Sequence, residues 1–182
     1  REDGYGGSMD NRSRFAIEII KAVRAAVGPD FPVILRWSQW KQQDYTARLA
    51  ETPEELSQFL LPLSEAGVDI FHCSQRRFWE PEFEGSDLNL AGWTRKITGK
   101  PSITVGSVGL NADFIPVPGE VTFREAEPAS LDELERRLSD NEFDLVAVGR
   151  ALISNPSWVD MVRDDRPDDI KPFRKEHLGQ LV

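Results

Sequence analysis

Cysteine, histidine and long apolar runs are what this sequence has least of. Of 182 residues, one is cysteine (Cys73) and two are histidine (His72 and His177). A single thiol excludes an internal disulfide and fits a reducing, cytoplasmic compartment. Neither histidine has metal-ligand spacing, and no Ser-His-Asp set, Walker loop or cluster of metal ligands occurs. The expectations are a satisfied core histidine at His72, an inert buried thiol at Cys73 and a solvated His177 in a charged tail. No apolar run approaches the length of a membrane span, and the N-terminus has no signal-peptide pattern. Positive charge is also short. Lys and Arg number 22 against 31 Asp and Glu, for a formal net charge of -9. That balance argues against a nucleic-acid or anionic-membrane partner, which needs a field of the opposite sign. Local basic groups can still hold a small phosphate.

What is present is a regular alternation. Four short apolar runs, at residues 32–38, 68–74, 102–109 and 144–149, are rich in Val, Ile and Phe and read as strands buried on both faces. Helical patterns separate them. Residues 12–27 place Ile19, Val23 and Val27 on one stripe, stopped by Gly28 and Pro29. Thr52, Pro53 and Glu55 form a helix start with a capping box, and Leu56, Phe59 and Leu63 follow, with Pro62 predicting a kink. A weaker helix spans 89–98 and stops at Gly99. Ser130 and Glu133 have the spacing of a second capping box, ahead of Leu134 and Leu138. Asn155 and Pro156 open a last helix. Residues 115–130 are the one long loop-like insertion. A helix followed by four strand-helix units implies a parallel sheet with right-handed crossovers. That is either a small doubly wound sheet or half of a (β/α)8 barrel, since a whole barrel takes about 250 residues.

Ligands of parallel α/β folds bind beyond the carboxyl ends of the strands. Arg36, inside "ILRWS", must face a partner there: a barrel carboxylate in a structural ion pair, or an anionic or electron-accepting cofactor. "VGS" at Gly106 and Ser107 is by itself an ordinary strand-to-helix turn. "VGR" ends the last strand at Gly149 and puts Arg150 where a short helix begins, a place suited to a phosphate. The pair on the last two strands says more than either motif alone. Two aromatic loops, with Trp37, Trp40, Tyr45, Phe78, Trp79 and Phe83, either wall a flat-ring site or cover a rim or an interface.

The opening "REDGYGGSMDNRSRF" closely resembles the R-x-D-x-Y-G-G-S-x-[DE]-N-R-x-R-F segment of the Old Yellow Enzyme family, the NADH:flavin oxidoreductases. "FPVILRWS", "PSITVGSVGL" and "FDLVAVGRALISNPSWV" resemble that family's later landmarks in the same order. The resemblance implies an α/β fold, a (β/α)8 TIM barrel that binds FMN. It implies that residues 1–182 are the C-terminal half of it, starting in the loop after strand four and supplying the last four strand-helix units. By the same resemblance Arg36 lies near the N1/O2 edge of the flavin, and Gly106, Ser107, Gly149 and Arg150 hold its phosphate. The implied activity is ene-reduction. Hydride passes from NADH or NADPH through the flavin to the β-carbon of an activated alkene such as an enone. The family's substrate-holding His pair, or His-Asn pair, and its proton-donating tyrosine precede the first residue of this chain, so no catalytic residue is assigned within it. The expected partners are the N-terminal half of the barrel or a second copy. Alone, this piece is expected not to turn over enones. The alternative is a non-catalytic half-barrel module that binds phosphate or flavin or associates with a partner half.

Overall fold

The structure is a computed structural model that describes residues 1–41, 44–114 and 124–179. It contains α1 (Met9–Val27), β1 (Ile34–Trp37), α2 (Pro53–Glu65), β2 (Ile70–Ser74), α3 (Leu90–Thr98), β3 (Ser102–Val105), α4 (Asp132–Ser139), β4 (Leu145–Val146), α5 (Arg150–Ser154) and α6 (Trp158–Arg163), then two short 3-10 turns, Pro167–Asp169 and Lys175–Leu178. The strands form one parallel sheet in the order β1-β2-β3-β4. Sequential parallel neighbours joined by crossover segments are the local geometry of a barrel wall.

The helix boundaries follow from caps. Ser8 accepts from the Asn11 amide at 3.3 Å and Asn11 donates to the Gly6 carbonyl at 3.0 Å. A β-carbon at Gly6 would lie 2.0 Å from the Arg1 carbonyl oxygen. The glycines and polar residues of the opening pattern thus shape the entry to α1, which starts three residues before the expected Arg12. At α2 half of the expected capping box forms: the Glu55 amide donates to Thr52 Oγ1 at 3.2 Å, whereas the Glu55 carboxylate accepts from the amide of Glu51, one residue before the cap, at 2.8 Å. The helix runs through Pro62 to Glu65. Asn89 caps α3, and Gly99, with φ 65°, ends it in the left-handed region.

Two expectations about burial are corrected. The strands are covered on one face only. Toward the helices, Phe71, Cys73, Ser102 and Thr104 are buried, whereas Ile34 and Leu145 are 52% and 50% exposed. A closed barrel fills its inner face with side chains from all its strands, and four strands supply part of that filling. The Ile19, Val23 and Val27 stripe of α1 stays largely exposed, and Met9, Ser13 and Ile20 face the core instead. That core is continuous through Leu56, Leu60, Leu63, Phe71, Leu90 and Phe143. Each such side chain contributes about 1.5–3 kcal/mol by leaving water.

Arginines fasten the strand ends. Arg24 donates to the carbonyls of Gly28, Phe31 and Gly67 and pairs with Asp69, whose carboxylate also accepts from the Val33 amide at 2.8 Å. Arg137, buried, donates to Glu142 at 2.9 Å, Glu133 at 2.7 Å and the carbonyls of Asp87 and Trp79. This explains why the second capping box fails to form. Glu133 is drawn to Arg136 and Arg137, which pull its carboxyl down to about 2, while Ser130 accepts from the Asp132 amide and Leu131 occupies the cap. Leu138 is exposed beside the buried Leu134. The last helix starts later than the expected Asn155 and Pro156: the buried Asn155 side chain bonds the Ala151 and Lys171 carbonyls, and α6 starts after Ser157.

Removing Arg137 strands the Glu142 carboxylate, which is 8% exposed. We therefore expect Arg137→Ala to cost about 3–5 kcal/mol, the usual result of breaking a buried pair from one side. Urea unfolding measures it; a loss under about 1 kcal/mol contradicts the assignment.

Candidate functional site

Four of the five residues singled out from sequence come together and one does not. Gly106, Ser107, Gly149 and Arg150 line one cleft of about 200 Å³ at the carboxyl ends of β3 and β4, together with Trp40, Tyr45, Gln75, Arg76 and Asp113. Arg36 stands apart, on the open face of the sheet.

The Gly106 turn is forced by backbone contact. Its φ is +138°, and a β-carbon there would lie 2.7 Å from the Gln75 carbonyl oxygen and 2.9 Å from the Arg76 carbonyl carbon. Only glycine lets β3 end this close to the loop after β2. Ser107 follows with φ 53°, and its hydroxyl lies 3.0 Å from the Arg76 carbonyl and 3.2 Å from that of Ala112. Gly149 differs. Its φ is -112°, and a β-carbon there would meet nothing within 4 Å, so this backbone borders open space.

Arg150 begins α5 half-buried between the rings of Phe114 and Phe173, at 5.7 and 5.5 Å from their centroids. Its Nη2 donates to the Ala112 carbonyl at 2.6 Å. Its Nη1 is buried and has no hydrogen-bond partner among the described residues. Burial pulls its pKa below the ordinary arginine value, and the nearby Asp113 carboxylate opposes that. A guanidinium stays charged in proteins, so a buried Nη1 lacking an acceptor is costly until one arrives.

Around it is a charged rim. Asp113, 3% exposed, pairs with Arg76, and Arg77 lies 3.5 Å away. Burial pushes the Asp113 carboxyl up, but the Arg76 hydrogen bond and the charges of Arg76 and Arg77 hold it below the usual range. Arg76 also sits 4.0 Å over the Tyr45 ring, which packs on Trp40 at 4.9 Å. Of the aromatic residues considered above, Trp40 and Tyr45 thus reach the cleft. Trp37 packs on Phe59, Phe78 on Trp79, and Phe83 on Trp93, as cover for the fold. Arg76, Asp113 and the two Phe rings around Arg150 were not singled out from sequence. The one signal was the doubled arginine directly after the second strand. Gln42 and Gln43 of the first aromatic loop, and positions 115–123 of the insertion, lie outside the described residues.

Arg36 is corrected from a buried to an exposed position. Its Nη1 lies 2.8 Å from His72 Nε2 and its Nη2 donates to Ser74 Oγ at 3.2 Å. His72 is accordingly a strand residue of the open face, not a core histidine. Cys73 is buried, its thiol pushed up to about 12 by burial, and it lies 3.3 Å from Thr94 Oγ1, an inert position. His177 is partly buried, with its Nδ1 2.8 Å from Ser154 Oγ, instead of solvated in a tail.

The fold defines a class: a chain of a parallel (β/α)8 barrel, with a half-buried arginine at the tips of its last two strands. Within that class, the chain belongs to the NADH:flavin oxidoreductase / NADH oxidase family, whose sequence model matches residues 1–117. It is 34% identical over 187 residues to an NADH oxidase of Thermoanaerobacter brockii, covering 98% of this chain and 25% of that protein. It is 29% identical over 197 residues to a bilirubin reductase of Clostridium symbiosum, covering 100% of this chain and 47% of that one. Among solved structures, it matches morphinone reductase in complex with tetrahydroNAD with a TM-score of 0.67 at 22% identity, over 97% of this chain and 40% of the other. It matches an old yellow enzyme homologue from Zymomonas mobilis with a TM-score of 0.68 at 16% identity, over 100% and 44%. These structural matches show the shared barrel fold. The chain spans between a quarter and about half of the length of these relatives. The family's cofactor is FMN, with NADH or NADPH as reductant. A phosphate group fits the cleft on two counts: Arg150 Nη1, unpartnered among the described residues, and the open backbone at Gly149; the Ser107 hydroxyl already donates to main-chain carbonyls. Among the described residues no group of His, Cys, Asp and Glu is arranged to hold a metal ion, and no helix is long and apolar enough to cross a membrane.

The two glycines should therefore respond differently. Gly106→Ala should lower stability by about 1–3 kcal/mol, through strain at a left-handed position and collision with main chain. Gly149→Ala should leave the melting temperature unchanged. Thermal unfolding of both variants decides it; equal melting temperatures contradict the reading of the turn.

Proposed function

We propose that this chain is the C-terminal half of an FMN-binding barrel, starting in the loop after the fourth strand, in an oxidoreductase of ene-reductase type. The chemistry that bound FMN supplies is hydride transfer from NADH or NADPH to an activated alkene such as an enone. Gly106, Ser107, Gly149 and Arg150 hold the phosphate, and Arg36 faces the N1/O2 edge of the ring. The observation that carries this reading is Arg150 Nη1, buried beside the two strand tips and lacking an acceptor among the described residues. A dianionic phosphate answers that need by a charge-assisted bond. Arg36 adds a second positive group on the same barrel, outside any carboxylate pair among the described residues. The free, buried Cys73 fits a reducing cytoplasm.

The same reading gives the open surfaces an occupant. Among the described residues β1 and β4 each have a strand neighbour on one side only, and Phe15, Ile19 and Val23 of α1 are 62%, 47% and 40% exposed. Unpaired edges beside an exposed apolar stripe suit further strand-helix units, from the N-terminal half of the barrel or from a second copy.

Arg150→Ala in the full-length protein should weaken FMN binding about ten- to hundred-fold, since a hydrogen bond to a charged group contributes about 1.5–3 kcal/mol. Quenching of FMN fluorescence on titration gives the dissociation constant. Unchanged affinity removes Arg150 from the site and overturns the phosphate assignment.

A further inference from the structure

Arg36 differs in what it touches from the arginines that brace the sheet and its loops. Arg24 pairs with Asp69, Arg48 with Glu82, Arg76 with Asp113 and Arg95 with Asp144. Arg36 touches an imidazole and a hydroxyl, and no carboxylate pairs with it among the described residues. Shortage of acid does not explain this in a chain with 31 Asp and Glu residues. Parallel pairing does: Arg36 is in register with His72 across β1 and β2, and Ser74 is the next residue of β2 on the same face.

The protonation state follows from the donors. A guanidinium has only donors, so His72 Nε2 accepts at 2.8 Å and its proton is on Nδ1. The imidazole in this contact is neutral. Burial and the charge of Arg36 both hold its pKa below the ordinary histidine value. Ile103, its register neighbour on β3, adds no charge.

We propose that His72, together with Ser74, is a positioning residue for Arg36: two neutral acceptors fix the guanidinium fork on the inner face and leave its positive charge uncancelled. This rests on the reading of Arg36 as the cation at the flavin edge. A carboxylate at position 72 would orient the fork equally well, but it would neutralise it. An aliphatic residue would leave the charge and free the fork to turn. The imidazole and the hydroxyl are the combination that does the first task without undoing the second.

The test is the midpoint potential of FMN bound to the full-length protein, combined with an NMR titration of His72 in flavin-free protein. Arg36→Met removes the charge and keeps an unbranched side chain of similar length. It should lower the potential by about 30 mV, which corresponds to a ten-fold change in a two-electron couple. His72→Glu should lower it by a similar amount, His72→Leu should lower it by less, and His72→Gln, which keeps an acceptor, should stay near the parent value. Without flavin, the His72 imidazole should titrate below the ordinary histidine range and move up in Arg36→Met. A parent potential in Arg36→Met overturns the flavin-edge reading underneath. A lowered potential in Arg36→Met, with parent values in both His72→Glu and His72→Leu, overturns the role of His72 alone. A His72 titration unmoved by Arg36→Met also overturns it.

Discussion

A single guanidinium, with one nitrogen satisfied and one without an acceptor among the described residues, organises the carboxyl end of this sheet. Arg150 is wedged between two phenyl rings and anchored through Nη2 to the Ala112 carbonyl. Its Nη1 is left buried without an acceptor among the described residues. The surrounding structure holds that group in place. β3 ends in a turn that only glycine can make against the main chain of residues 75 and 76. β4 delivers Arg150 one residue past Gly149. Asp113 ties Arg76 to the same corner through its buried carboxylate. On the proposed reading, an anion at this corner would meet groups that the fold has already oriented, which is how a preorganised site reduces the cost of binding.

Two kinds of cation share the strand tips. Those on the rim, Arg48, Arg76 and Arg77, are balanced by Glu82, Asp113 and Glu80 and brace loops. Arg36 and Arg150 bond to neutral groups and keep their charge available. In an acidic chain with a net charge of -9, where an arginine lacks a carboxylate says more about binding than where arginines are numerous. Both of these lie where a parallel barrel places its ligands.

Much of the fold was legible in the sequence, because it rests on local signals. The Thr52 and Asn89 caps, the Gly99 stop and the four Val- and Ile-rich runs each appear where expected. So does the convergence of Gly106 with Arg150, since strand tips in a parallel sheet lie side by side. The misreadings have a common cause in tertiary context. His72 looked like a core residue because only inter-strand register brings it opposite Arg36. Glu133 had the spacing of a capping box, yet Arg136 and Arg137 lie three and four residues on and compete for it more strongly. The strands looked buried on both faces, whereas helices cover one face and the other faces the barrel interior. Asp113 and Arg76 meet across 37 residues, beyond any spacing rule.

If the corner between β3 and β4 recognises a phosphate, FMN and riboflavin must differ in affinity. The most direct measurement is calorimetric titration of the full-length protein with FMN and with riboflavin, which share the ring and the ribityl chain and differ in the phosphate. FMN should bind at least about ten-fold tighter, the equivalent of one charge-assisted hydrogen bond. Equal affinities for the two would contradict it.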